Sequence, residues 1–338
     1  MITSAPAFAR TQRVRASGTE ANHSLTVTIS GSIARNVGNV RVEIVAEPPT
    51  AQTDHMHPGQ VMPMTRVTSS TSADGRFALR LSRAALRRFA NPGGEVNMQA
   101  WVRSGREFGL YSFAVNLSKP APVRIGPVRM HVAPGYSPGP RPGFCPPPTL
   151  VKKFKPHPTS VGETAAIITS PGLGQQFTYT ANASSSLGVG VQDPSGTWSA
   201  SGTYTISSTS RIPFANYGGD QAYVYKTDYQ YAEYTNGCLT WTQPYEYAGG
   251  GQVDATNAPY ADYCLRYPAG SSPFFGSQKA YTFTAAINIS EIGFSAQGTT
   301  GWSNEAAIIY KMGTYSHDIC GTANYPGSTP KKIVIGLP

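Results

Sequence analysis

Three features of the 338-residue sequence predict an all-β protein. Gly (35) and Pro (28) are abundant and Tyr (19) is frequent, a mixture that favours strands joined by turns over helices. Only 13% of residues are charged, which continues the same trend. Apolar and hydroxylated residues alternate through many short segments, the pattern of strands with one buried and one wet face. At this length the chain can bury an ordinary core, as two domains or as one large β domain.

The first residues, MITSAPAFAR, contain Ala7-Phe8-Ala9, a small-x-small cleavage site of the kind that ends an export signal. The expectation is an exported protein whose mature chain begins near Arg10, with residues 1–19 a signal remnant and flexible N-terminus. From Ser24, SLTVTISGSIA sets Leu25, Val27 and Ile29 on one face against Thr26, Thr28 and Ser30 on the other, which reads as a half-buried strand. NVRVEIVAE follows with Val40, Val42 and Ile44 inward. In TSSTSADGRFALRL, Asp74-Gly75 supplies a turn and Phe77, Leu79 and Leu81 a core face. One short helix is predicted in SRAALRRFANPGG, capped by Ser82, with Ala85, Leu86 and Phe89 as its apolar stripe and Asn91-Pro92-Gly93-Gly94 as its end. Strands resume in EVNMQAWVRS, REFGLYSFAVNL and VRIGPVRMHV.

Gly31 to Ile44 and Thr71 to Leu81 resemble the opening and the "T.adGrF.l.l" strand of the transthyretin-like, carboxypeptidase-regulatory-like β-sandwich. That resemblance implies an Ig/transthyretin-like N-terminal sandwich over residues 20–132, used as an accessory or adhesive module rather than a catalyst. Residues 133–148 (APGYSPGPRPGFCPPP) form a Pro/Gly-rich linker. Its GYSPG string matches the GxSxG of serine hydrolases, but proline forbids the strand and helix that a nucleophile elbow needs. Residues 149–338 read as a Tyr/Ser/Thr-rich antiparallel β domain. Trp198, Ala200, Gly202, Tyr204 and Ile206 alternate with Thr and Ser, and Tyr281, Phe283, Ala285, Ile287 and Ile289 do the same. The layout SSSLGVGV, WSASGTYTISSTS, YCLRYPAGSS and DICGTANYPG is similar to that of uncharacterised secreted two-domain β proteins of filamentous high-GC bacteria.

Charge is unevenly distributed. Residues 1–160 hold 20 Lys and Arg against 7 Asp and Glu, a net +13, and the remainder holds 7 against 11, a net −4. A basic first half suits an anionic cell-wall polymer or glycan; nucleic acid is the less favoured polyanion. The cysteines, Cys145, Cys238, Cys264 and Cys320, include no CxxC pair and fit two disulfides better than zinc. Three connectivities are open. The preferred one joins Cys238 to Cys264, closing a short excursion, and Cys145 to Cys320, tying the domain's ends. Disulfides imply an oxidising compartment, so the predicted location is secreted, extracellular or wall-associated.

Eight of the 19 tyrosines lie between Tyr217 and Tyr247. Tyr223 with Tyr225, and Tyr229 with Tyr231, are i,i+2 pairs whose rings share a strand face, and with Trp241 they make a candidate row for stacking on sugars or a partner protein. The competing reading is a cross-strand ladder that holds a sheet together. His55, His57 and Met62, with Asp54 and Met64 nearby, are an imidazole and thioether set of the kind that binds copper, though on a predicted Pro-Gly loop. No cofactor is expected. HExxH, GxGxxG and P-loop motifs are absent, and Glu163, Asp228 and Glu246 are the carboxylates a hydrolase reading would rest on. The expected function is therefore non-enzymatic binding or structure at the cell surface. The alternatives are a secreted hydrolase and a homo-oligomeric or aerolysin-like protein whose hairpins (186–210 and 281–300) line a membrane pore.

Overall fold

The computed structural model describes residues 26–34, 38–118, 122–132, 145–164, 167–168, 174–180, 184–192, 196, 198–207, 211–213, 222–256, 263–276, 286–289, 294–297, 306–321 and 333–336. The protein is all-β, with two one-turn α-helices among the described residues. The first half runs β1 (Thr26–Ser32), β2 (Arg41–Ala46), α1 (Thr50–Thr53), β3 (Thr65–Ser70), β4 (Arg76–Ser82), α2 (Arg83–Leu86), β5 (Glu95–Ser104), β6 (Glu107–Asn116), β7 (Val123–Arg124) and β8 (His131–Val132). The second continues with β9 (Thr149–Lys153), β10 (His157–Thr164), β11 (Ile167–Ile168), β12 (Gly174–Thr180), β13 (Ser184–Gln192), β14 (Trp198–Ser207), β15 (Arg211–Pro213), β16 (Ala222–Thr235), β17 (Thr240–Thr256) and β18 (Tyr263–Tyr267). It ends with β19 (Phe274–Gly276), β20 (Ala286–Ile289), β21 (Phe294–Gln297), β22 (Ala306–Lys311), β23 (His317–Gly321) and β24 (Ile333–Gly336).

Two sheets make the N-terminal sandwich. The smaller has the order β4-β1-β7; the larger contributes β8 and β6 through β5 and β2 to β3. The alternation read from the sequence holds in the small sheet: Val27, Ile29, Phe77, Leu79 and Leu81 are buried, and every other residue of β4 is exposed. They pack on Val42, Ile44, Val96, Ala100 and Val102 of the larger sheet. The predicted helix is shorter than its pattern. It is one turn over Arg83–Leu86 and a 3₁₀ turn over Arg87–Phe89, with no side-chain bond from Ser82, and Ala85 is exposed. The apolar stripe is thus Leu86 and Phe89 alone, enough to plug the sandwich end but not to support further turns.

The opposite face of the larger sheet is also covered. Val45, Trp101, Phe108 and Leu110 belong to one core with Leu187, Val191, Tyr204, Tyr229, Tyr234 and Trp241 from the second half. The sheet itself runs on, in the order β10-β16-β17-β13-β14-β6-β5-β2-β3, with β9 added on β16. Its halves meet where β14 lies parallel to β6 through the pair Gly202 and Ser112. Glycine is required there: φ is +106°, and a Cβ would stand 2.0 Å from the Ser112 carbonyl oxygen. Alongside, Asn97 and the Thr205 backbone exchange two hydrogen bonds of 2.8 Å. Ser201 and Thr205, expected on a wet face, are therefore buried against the sandwich.

The disulfide joins Cys145 to Cys238, which corrects both preferred pairings. Cys238 occupies the hairpin turn between β16 and β17, where the Asn236 side chain accepts from the Cys238 and Leu239 amides at 3.0 and 2.8 Å. The chain just after Cys145 passes the same place on its way into β9, which pairs with β16. Cys264 and Cys320 lie directly opposite one another in the β18–β23 register. The Cys145–Cys238 bond closes a loop with a sequence separation of 93, so removing it frees much unfolded-state entropy. The double variant Cys145→Ser/Cys238→Ser should lose about 3 kcal/mol in urea unfolding; an unchanged midpoint would show that the clip adds nothing to stability.

Candidate functional site

The predicted aromatic row is not a surface. Tyr225, Tyr229 and Trp241 are fully buried and Tyr231 is 1% exposed, so no sugar or partner can reach them. Tyr229 and Tyr231 are both buried in the core shared by the two halves. Tyr229 meets Tyr247 edge-on at 5.5 Å and Tyr234 stacks on Trp241 at 6.0 Å, with Trp101 of the sandwich edge-on to Trp241 at 6.2 Å. Such pairs add about 1 kcal/mol each beyond burial. The Tyr231 hydroxyl shares a hydrogen bond of 2.9 Å with Thr159, and burial pushes its phenol up to about 12. The Tyr223 side chain lies outside the described residues.

The copper set does not converge. His55 and His57 are exposed on the loop after α1, whereas Met62 is 1% exposed in the core and Met64 packs against it. The thioethers follow apolar surroundings and the imidazoles follow water. Of the carboxylates, Glu246 sits beside Asp54: burial and then the Asp54 charge and hydrogen bond push its carboxyl upward, and Lys153 opposes them. The Asp228 side chain is half-buried on β16, and that of Glu163 is outside the described residues. The 186–210 hairpin is β13 with β14, already paired to β17 on one side and β6 on the other; residues 281–285 of the second hairpin lie outside the described residues.

Part of the basic excess is internal. Glu43, buried in β2, is held by Arg41 at 2.9 Å, Arg103 at 3.1 Å and Arg66 at 3.7 Å. Arg66 also covers the Trp101 ring at 5.0 Å and donates to the Cys145 carbonyl at 3.1 Å, so this charge fastens the two halves together.

Three further arginines are presented outward by the small sheet. Strand alternation turns Thr28, Ser30 and Ser32 of β1 away from the core, and register sets Arg80 opposite Thr28 and Arg76 opposite Ser32. On the other side Ser30 pairs with Arg124 of β7. None of the three strands contains a carboxylate. The nearest is Asp74 in the preceding turn, which pairs with Arg76 at 3.2 Å while leaving that arginine 78% exposed. Hydrogen bonds from Ser72 (2.5 Å) and then the Arg76 amide hold the Asp74 carboxyl below its ordinary range. At the Ser32 end the face dips into a groove of about 700 Å³ lined by Ser30, Gly31, Ser32, Ser70, Ser72, Arg76, Phe77, Ala78, Arg124 and Ile125. Arginine, serine and threonine at alternate positions of two strands were visible in the sequence. Their union on one face depends on a register between segments some fifty positions apart.

No family model matches the chain, and no curated protein matches it. Among solved structures it is similar, at 9% identity, to the major pilin protein (T-13) of Streptococcus pyogenes, over 69% of this chain and 93% of that one, with a TM-score of 0.16. It is similar at 11% identity to a 1.5-MDa bacterial ice-binding adhesin, over 93% of this chain and 90% of that one, again with a TM-score of 0.16. Superpositions this loose carry no argument about what the chain does.

Proposed function

We propose that the protein is an extracellular, non-enzymatic β protein that attaches to an anionic polymer through the outer face of its N-terminal sandwich. The observation that carries this reading is the row Arg76, Arg80 and Arg124 set among Ser and Thr hydroxyls on three strands that contain no acid. Exposed guanidiniums on a rigid sheet give a fixed positive field, and planar forks suit carboxylate, sulfate or phosphate. The disulfide favours an oxidising compartment, and no helix among the described residues is long and apolar enough to cross a membrane.

The test is retention of the oxidised protein on dextran sulfate against neutral dextran. Retention should be specific to the sulfated matrix and lost by about 0.5 M salt, since exposed contacts are screened at that strength. The triple variant Arg76→Glu, Arg80→Glu and Arg124→Glu should elute with the void at low salt while keeping its melting temperature. A triple variant that is retained like the parent would move the attachment elsewhere.

A further inference from the structure

We propose that the groove at the Ser32 end of this face seats one acidic saccharide unit, with Arg76 and Arg124 flanking its charge and the serines facing its hydroxyls. The inference rests on the polyanion reading above and narrows it from a charged face to a shaped site for a glycan.

The floor comes first. Gly31 faces inward with Val27 and Ile29, and on that side a Cβ would be 2.6 Å from Phe77 and from Ile125, so the two side chains meet beneath β1. The glycine backbone, with these two side chains closing the core beneath it, therefore forms the floor of the groove. The walls are different. Ser30, Ser32, Ser70 and Ser72 line them, and a hydroxyl both donates and accepts, matching the mixed donors and acceptors of a sugar. Ser72 is committed to Asp74 and to the Arg76 carbonyl, and Ser30 reaches the Val123 carbonyl at 3.5 Å. The Ser32 and Ser70 hydroxyls have no hydrogen-bond partner among the described residues. Arg124 has no carboxylate partner among the described residues, and Arg76 gives only its Nε side to Asp74. Both can therefore offer guanidinium N–H groups to a carboxylate or phosphate on the sugar.

Nucleic acid fits less well. Base stacking needs exposed rings, and the only ring lining the groove among the described residues, Phe77, is 5% exposed. The volume lies within the roughly 300 to 1,000 Å³ typical of small-ligand sites.

The experiment titrates oligoglucuronate, a phosphorylated maltooligosaccharide and the neutral maltooligosaccharide of equal length into the full-length oxidised protein by calorimetry. At least one acidic oligomer should bind about tenfold or more tighter than the neutral one, and the tighter of the two names the charged group. Ala78→Tyr fills the groove from an exposed strand position where tyrosine is well tolerated, and Ser32→Tyr fills it from the opposite strand. Each should cost about tenfold or more in acidic-oligomer affinity, and Ala78→Tyr should leave dextran sulfate retention intact. Equal affinity for acidic and neutral oligomers, unchanged affinity in both groove-filled variants, or equally tight binding of a single-stranded oligodeoxynucleotide would overturn the groove. Loss of dextran sulfate retention in the unmodified protein would instead overturn the polyanion reading beneath it.

Discussion

Gly202→Ala should cost about 5 kcal/mol or prevent folding, a loss in the range reserved for severe core lesions. Two effects combine. The residue sits at φ +106°, a backbone conformation that side-chain-bearing residues rarely adopt, and its Cβ would meet the Ser112 carbonyl oxygen at 2.0 Å and the Ser112 nitrogen at 2.7 Å. Those are backbone atoms of a buried strand, so no rotamer change relieves the clash and β14 must part from β6. That separation takes the two Asn97–Thr205 bonds and the bond from Ser201 to the Leu110 carbonyl with it. Each breakage leaves a buried polar group without a partner, which costs more than the bond itself contributed. Gly196 is the control: its φ is +88° and a Cβ there meets nothing within 4 Å, so alanine should cost only about 1 kcal/mol. Urea midpoints of both variants decide the matter. If Gly202→Ala loses no more than Gly196→Ala, the seam between the halves is not where cooperativity resides.

That seam also explains what the sequence could and could not reveal. In β1 and β4 one face is wet, so period-two alternation reads directly, and Phe77, Leu79 and Leu81 lie inward as expected. In β2 and β5 the same alternation misleads. Glu43, Gln99 and Arg103 are polar residues at alternate positions and read as solvent-facing, yet all are buried because a second layer covers that face. Alternation distinguishes apolar from polar, not water from a polar partner. The tyrosines of β16 fail in the same way: a phenol is equally suited to a sugar face and to a core with a hydroxyl acceptor, and Thr159 beside Tyr231 is contributed by a strand some seventy positions away. The disulfide was out of reach because Cys145 meets Cys238 only when β9 adds to β16. The basic face was half legible, in the spacing of its arginines but not in their register.

Glu47→Gln should remove a pH dependence of stability on the order of 5 kcal/mol. Glu47 follows β2 and is buried at the seam, where its Oε2 accepts from Gln243 at 3.1 Å and its Oε1 has no hydrogen-bond partner among the described residues. Gln243 accepts in turn from the Trp241 indole at 2.9 Å and from Gln99 at 3.3 Å, and Gln99 accepts from Trp101 at 2.7 Å. Desolvation pushes the Glu47 carboxyl up to about 8, only partly offset by the bond from Gln243. The groups that feel its charge are the phenols of Tyr204 and Tyr234, both buried and both raised by desolvation and then by Glu47. With the folded value about 8 and the model-compound value 4.5, the folded protein keeps a proton that the unfolded chain sheds. Stability from this group is therefore whole below pH 4.5, falls as pH rises through the interval, and levels off above pH 8. Glutamine copies the protonated acid, with one carbonyl to accept from Gln243 and N–H groups in place of the acid proton. The variant should match the parent near pH 5 and exceed it by several kcal/mol near pH 9, read as the difference between their urea midpoints so that other titrations cancel. Parallel profiles would mean that the carboxyl ionises as it does in water and that the seam is wet. A profile that flattens as expected would mean that the two halves are held together by a neutral acid, buried in the same core as Trp101 and Trp241.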